Sequence, residues 1–172
     1  GIKVALGNAG SSRLGVGVAR DIDFISKLRG RLGPASRIMV DVAPSLEWTV
    51  EDAVSRLEGM RPYHLTWIEE PLGARDERGY RALREQVGDV LIAYGEREWS
   101  PRGVHEILAT GTVDVVGLDP GRVEGISGFL LAASDCAQHG VTANAHAFAG
   151  PLIYAASLAA SLASDACEEF EI

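Results

Sequence analysis

An α/β fold of repeated parallel βα units is predicted by three features of the sequence. Short β-branched or apolar runs alternate with helix-signalled segments along the whole chain, five of the seven runs end in a polar or acidic residue, and the runs recur at near-constant spacing. The runs are Ile2 to Leu6, Ile38 to Asp41, Leu65 to Glu69, Val90 to Glu96, Val113 to Asp119, Gly140 to His146 and Glu168 to Ile172, which predicts seven strands. Five of the run-ending residues, Asp41, Glu69, Glu96, Asp119 and His146, follow one another at intervals of 28, 27, 23 and 27 residues. A (β/α) barrel of the TIM type uses about 31 residues per unit, so such a barrel is the leading expectation. A doubly wound open sheet is the alternative that periodicity alone leaves open. Seven strands do not close an eight-strand barrel, and the chain opens inside one strand pattern at Gly1-Ile2-Lys3 and stops inside another at Phe170-Glu171-Ile172. The barrel is therefore expected to be incomplete, its remaining strand lying in flanking sequence.

The intervening segments carry helix signals in order. Thr49 followed by Asp52 opens Val50 to Met60 as a capping box, Ser100 and Pro101 supply an N-cap and a first-turn proline with Gly111 as a stop, and Gly140 closes Ile126 to His139. The loop from Gly7 to Gly17, containing Asn8, Ser11 and Ser12, is the longest aperiodic stretch; it reads as a mobile flap over the strand ends or as an ordinary solvated linker. Its glycines do not form GxGxxG after a strand, which argues against a dinucleotide site.

With 172 residues, 47% of them hydrophobic, the chain has the length and apolar content of one domain with a sizeable core. Its 24 acidic and 16 basic side chains leave a net charge of −8, which repels nucleic acids and anionic membrane surfaces and favours small-molecule chemistry. No apolar run reaches the roughly 18 residues of a membrane span and no charged-then-apolar leader is present, so a cytoplasmic location is expected. Cys136 and Cys167 lack the spacing of a disulfide framework or a zinc finger and are expected to be reduced and packed.

In a βα barrel the C-terminal strand ends converge on one mouth, which here gathers Asp41, Glu69, Glu96, Asp119, His146 and Glu169. Three carboxylates from consecutive strands repel one another in a partly dry cavity unless a dication holds them. Oxygen-only ligands select a hard ion, and Mg2+ is the expected cofactor at Asp41, Glu69 and Glu96. His64, His105 and His139 fall in helices or at helix ends and are expected to be surface or packing residues, whereas His146 terminates a strand. Trp48, Trp67 and Trp99 are expected in the core.

The runs Val40-Asp41-Val42-Ala43, Trp67-Ile68-Glu69-Glu70-Pro71-Leu72, Tyr94-Gly95-Glu96, Val115 to Asp119 followed by Gly125-Ile126-Ser127, and Asn144-Ala145-His146 resemble the barrel domain of the enolase superfamily, in its mandelate racemase and muconate lactonizing enzyme group. The resemblance spans nearly the whole chain. It implies that the strands are the second to eighth of a modified barrel, that an N-terminal α+β capping domain belongs to the parent protein, and that the parent is a homo-oligomer. It also implies that Asp41, Glu69 and Glu96 ligate Mg2+, that Asp119 orients His146 as general acid or base, and that Glu169 donates a hydrogen bond to an enediolate intermediate. Glu168 is the neighbour one residue out of register.

Departures from the family pattern shape the expected reaction. The usual Lys-x-Lys is here Lys3-Val4-Ala5, so Lys3 faces inward while alanine replaces the second base; Ala43 stands where asparagine is common, and Glu124 precedes Gly125 where two glycines are usual. Racemisation needs a base on each substrate face. A one-base dehydration of a sugar acid or related hydroxy acid, a small-molecule carboxylate, is therefore the leading expectation; an epimerase and a non-catalytic metal-binding barrel are the alternatives. The segment Gly121-Arg122-Val123-Glu124-Gly125 also reads as a phosphate grip at a helix N-terminus, which Glu124 opposes.

Overall fold

The computed structural model describes residues 1–7, 12–148 and 150–171. The chain divides into two compact units, Gly1–Ile92 and Ala93–Ile172. Strand and helix alternate through both: β1 (Ile2–Leu6), α1 (Val18–Leu32), β2 (Ile38–Val42), α2 (Val50–Met60), β3 (Trp67–Glu69), α3 (Glu77–Arg84), β4 (Leu91–Tyr94), α4 (Pro101–Leu108), β5 (Val115–Leu118), α5 (Gly125–Gln138), β6 (Thr142–Ala145), α6 (Pro151–Leu162) and β7 (Cys167–Phe170).

In the first unit β1 runs parallel to β2, from Ile2 opposite Ile38 to Leu6 opposite Val42, and β2 runs parallel to β3, from Met39 opposite Trp67 to Asp41 opposite Glu69. Leu91 N donates to Thr66 O at 3.2 Å as β4 begins. β2 is buried along nearly its whole length, Ile38, Met39, Val40 and Val42 included, as expected of a parallel strand covered on both faces. Ile25, Ala53, Leu57, Met60 and Leu83 supply apolar faces of the helices, each large buried side chain contributing roughly 1.5–3 kcal/mol. α2 starts as the capping box requires: Thr49 Oγ1 accepts from Asp52 N, and Asp52 Oδ2 accepts from Thr49 N. That backbone hydrogen bond holds the Asp52 carboxyl below its ordinary value, against an opposing contribution from burial.

Of the loop read as a flap, Asn8 and Ser11 lie outside the described residues, but its far end is fastened. Asp21 Oδ1 accepts from Gly15 N at 2.7 Å, while Arg56 Nη2 and Trp48 Nε1 donate to Gly15 O at 3.0 and 2.8 Å. Arg56 Nε donates to Asp21 Oδ2 at 2.8 Å, and its guanidinium lies 4.2 Å from the centre of the Trp48 ring. Gly15 has φ 92°, and a Cβ there would collide with Leu46 Cδ1, so glycine is needed where the chain turns into this clamp.

In the second unit β4 runs parallel to β5, β5 to β6 and β6 to β7. Ser100 caps α4 by accepting from Gly103 N, with Pro101 in the first turn; Gly140, at φ 68°, follows α5 as expected. Phe129, Ala132, Ala133 and Cys136 of α5 are buried, together with Val116, Leu118, Ala143 and Ala145 of the strands. Both cysteines are free, and burial pushes the Cys136 thiol up to about 12.

Three expectations need correction. Trp99 is 68% exposed, whereas Trp48 and Trp67 are buried; it sits in the βα turn before α4, where no apolar periodicity governs its direction. β4, β5 and β6 end before Glu96, Asp119 and His146, because the chain leaves the ladder there, visibly at Gly95 with φ 117°. The last strand is Cys167–Phe170 rather than Glu168 to Ile172, and Ile172 lies outside the described residues. No helix of the described residues is long and apolar enough to cross a membrane.

Candidate functional site

Each unit carries a cluster of charged side chains at the C-terminal ends of its strands. In the first, Asp41 and Glu69 are register partners on adjacent parallel strands, and Asp41 is also paired with Ala5. Lys3 lies two residues before Ala5 on the same face, roughly 7 Å along the strand. Its long stem covers that distance past the small alanine: Lys3 Nζ donates to Glu69 Oε2 at 2.9 Å and lies 3.4 Å from Asp41 Oδ2. Trp67, two residues before Glu69, donates Nε1–H to Glu69 Oε2 at 3.3 Å. Lys3 is largely buried and Glu69 more so, which strengthens these charge-assisted contacts relative to an exposed pair. The two carboxylates thus approach one cationic atom from neighbouring strands. Oxygen-only donors gathered in this way suit a hard dication.

In the second unit Asp119, Glu96 and His146 come together. His146 Nδ1 is 3.1 Å from Asp119 Oδ2 and His146 Nε2 is 3.2 Å from Glu96 Oε2. With the Asp119 carboxylate accepting, Nδ1 carries the proton of that contact, and the ring plane is fixed by a hydrogen bond rather than by packing alone. Asp119 is itself held, because its Oδ1 accepts from Gly121 N at 2.7 Å. The backbone of Glu96 passes so close to β5 that a Cβ on Gly117 would stand 3.2 Å from both Glu96 N and Glu96 Cβ; a side chain at 117 would press on the residue that faces the imidazole.

Arg122 is a member of this cluster that sequence reasoning did not place there. Its Nη1 donates to Glu96 O at 2.9 Å, and the guanidinium lies 3.8 Å from Glu96 Oε1 and 3.7 Å from Asp119 Oδ2. It braces two carboxylates, which opposes the phosphate-gripping use of this segment. The signal available was its place three residues after Asp119 at a helix entrance, but that spacing does not disclose the contact to Glu96. Glu168 is exposed and Glu169 half-buried, which separates these neighbours. Between Ala143 and Ala145 of β6 the partner strand inserts one extra residue, from Cys167 to Phe170, and a bulge of this kind redirects side chains locally. Beyond it, Asn144 Nδ2 donates to Glu171 Oε1 at 3.1 Å, a contact hidden from alternation counted along β7.

Comparison with known proteins adds to this geometry. A family model described as enolase C-terminal domain-like matches residues 1–172. L-Talarate/galactarate dehydratase of Salmonella typhimurium is 36% identical over 122 residues, 71% of this chain and 30% of that protein. L-Rhamnonate dehydratase of Saccharopolyspora erythraea is 28% identical, over 76% of this chain and 33% of that protein. The hydrophobic dipeptide epimerase of Enterococcus faecalis is 26% identical, over 75% of this chain and 36% of that protein. Among solved structures, a member of the enolase superfamily from Polaromonas sp. JS666 superposes with a TM-score of 0.88 at 26% identity, covering 99% of this chain and 43% of that one. An enolase from Bradyrhizobium complexed with magnesium and mandelic acid gives a TM-score of 0.82 at 29% identity, covering 99% and 43%. The chain therefore spans about a third of the length of these curated relatives. The fold class is the α/β, TIM-type barrel of these neighbours, in incomplete form.

Proposed function

Since this chain belongs to the enolase C-terminal domain-like family, whose members matched here include sugar-acid dehydratases and a dipeptide epimerase, we propose that it supplies the catalytic barrel of a Mg2+-dependent dehydratase acting on a sugar acid or related hydroxy acid. The observation that carries this reading is the His146–Asp119 contact at 3.1 Å, which orients the imidazole. A hydrogen next to a carboxylate is weakly acidic, because its removal adds charge to a group already anionic.

In this reading Asp41, Glu69 and Glu96 hold the ion, in keeping with their all-oxygen chemistry and with the shared cationic partner of Asp41 and Glu69. When bound, Mg2+ supplies positive charge that offsets the anion developing on the substrate carboxylate. His146 moves a proton at Nε2, either from the α-carbon or to the departing hydroxyl. Asp119 keeps Nδ1 protonated and the ring in plane, and Arg122 holds Asp119 and Glu96 in place. Lys3 offsets negative charge beside Asp41 and Glu69, and Glu169 serves as a hydrogen-bond donor. With Ala5 at the position of a second base, proton removal and return on opposite faces lacks one partner, which supports water loss over epimerisation.

The test is incubation of the full-length protein with Mg2+ and a panel of acid sugars, followed by detection of 2-keto acids and of solvent deuterium at the α-carbon. Keto-acid formation that falls by about 10²- to 10⁴-fold in His146→Asn is expected. Deuterium exchange without water loss would move the assignment to an epimerase. Turnover that survives His146→Asn would remove His146 from the proton step, and a wild type inert on every acid would favour a non-catalytic barrel.

A further inference from the structure

A third cluster lies in the second unit, on α4 and α5, among residues the proposed reaction does not use. His105 Nδ1 is 2.8 Å from Asp135 Oδ2, and His139 Nδ1 is 3.3 Å from Asp135 Oδ1. One carboxylate thus faces an imidazole with each of its oxygens. The two rings meet edge to face with centroids 5.8 Å apart, and one ligand-capable atom from each of the three side chains lies within 4.8 Å of the other two. Asp135 and His139 are four residues apart, one turn along α5, so they share a face; α4 packs on α5 and brings His105 into reach. The histidines are 58% and 36% exposed, but the helices that carry them are anchored from behind by buried Val104, Ile107 and Leu108 on α4 and Ala132, Ala133 and Cys136 on α5.

We infer that His105, Asp135 and His139 form a binding site for a divalent transition-metal ion of the zinc class, which ties α4 to α5. Two imidazoles and one carboxylate make a nitrogen-rich donor set that prefers zinc, nickel, cobalt or copper to magnesium, in contrast to the oxygen-only carboxylates at the strand ends. Ligand atoms around tetrahedral zinc stand about 3.3 Å apart, given bonds of about 2.0–2.1 Å; the three ligand-capable atoms here lie within 4.8 Å of one another, so small side-chain rotations bring two imidazole nitrogens and one Asp135 oxygen to that spacing, with His139 Nδ1 exchanging its 2.9 Å contact to Asp135 O for the ion. The exposed side leaves room for water to complete the shell. Because ligation needs unprotonated nitrogen, binding weakens as the pH is lowered.

Zinc chloride and, as a spectroscopic probe, cobalt chloride are titrated into the metal-free protein at neutral pH with millimolar Mg2+ present. One equivalent of zinc with a Kd on the order of micromolar is expected, together with the visible absorption of four-coordinate cobalt, a rise in Tm on saturation, and no displacement by Mg2+. His105→Ala and Asp135→Asn, whose far-UV spectra report folding, are each expected to weaken zinc binding at least about tenfold, whereas Asp41→Asn leaves this equivalent unchanged. Zinc binding unaltered by His105→Ala and Asp135→Asn, loss of it in Asp41→Asn alone, or no binding at roughly a hundred times the expected Kd would overturn the inference and leave the cluster as a hydrogen-bonded clasp.

Discussion

Asp21→Asn tests the clamp that fastens the loop at Gly15. Asp21 is fully buried and Arg56 is 2% exposed, so the substitution preserves volume and leaves a guanidinium in the interior without its counter-charge. Breaking a buried ion pair from one side costs about 3–5 kcal/mol. Arg56 keeps its hydrogen bonds to Gly15 O and Asp52 O and its position over Trp48, while Asp52, 3.5 Å away and half-exposed, offsets little of the charge. One Asn oxygen also cannot serve both Arg56 Nε and Gly15 N. The expected loss is therefore near the lower end, about 3 kcal/mol, or about 6–12 °C in Tm at 2–4 °C per kcal/mol. Urea denaturation and calorimetry measure it. Replacing both partners with apolar residues, Asp21→Leu with Arg56→Met, is expected to cost less than Asp21→Asn alone, since no buried charge remains. A loss below about 1 kcal/mol for Asp21→Asn, or a double variant no better than the single one, would refute the argument.

Three further outcomes are expected. Thr49→Ala should cost about 1 kcal/mol through the lost α2 cap; because the Asp52 carboxyl titrates below its ordinary 3.8, its contribution is complete above that pH and is lost as the pH falls through the lower folded value, so acid titration of Asp52→Asn should lack that component. Burial raises both thiols, Cys136 to about 12; a disulfide reagent at pH 8 should leave Cys136 unmodified in the native protein and titrate both thiols in guanidinium, and the stability favouring the neutral Cys136 thiol should be complete below pH 9.0 and decline as the pH rises toward about 12. Lys3→Met removes the ammonium from Asp41 and Glu69 and should lower metal-free stability by about 1–3 kcal/mol, with Mg2+ restoring more Tm in the variant than in wild type; no response to Mg2+ in either protein would count against the proposed ion site.

Several features were legible before any coordinates. The strand period, the capping box at Thr49 and Asp52 and the Ser100-Pro101 helix start rest on local patterns, namely side-chain alternation, orphan amides at helix starts and residues recurring once per βα unit, whereas the His146–Asp119 pairing came from the family resemblance. The family resemblance supplied the roles of those residues. Local pattern failed where direction depends on what packs opposite. Trp99 lies in a turn, and the bulge in β7 shifts the register of the segment that carries Glu168 and Glu169.

By itself, then, the sequence determined the order and type of the elements and which carboxylates fall at or near the ends of successive strands, because backbone periodicity and capping are encoded within a few residues. Tertiary structure alone decided that Lys3 reaches Glu69 across 66 positions, that Arg122 braces Glu96 across 26, and that His105 meets Asp135 across 30. Those contacts depend on strand register, on the stacking of α4 on α5 and on the length of a side chain in its actual direction. None of these quantities is written in the spacing of residues along one strand or helix.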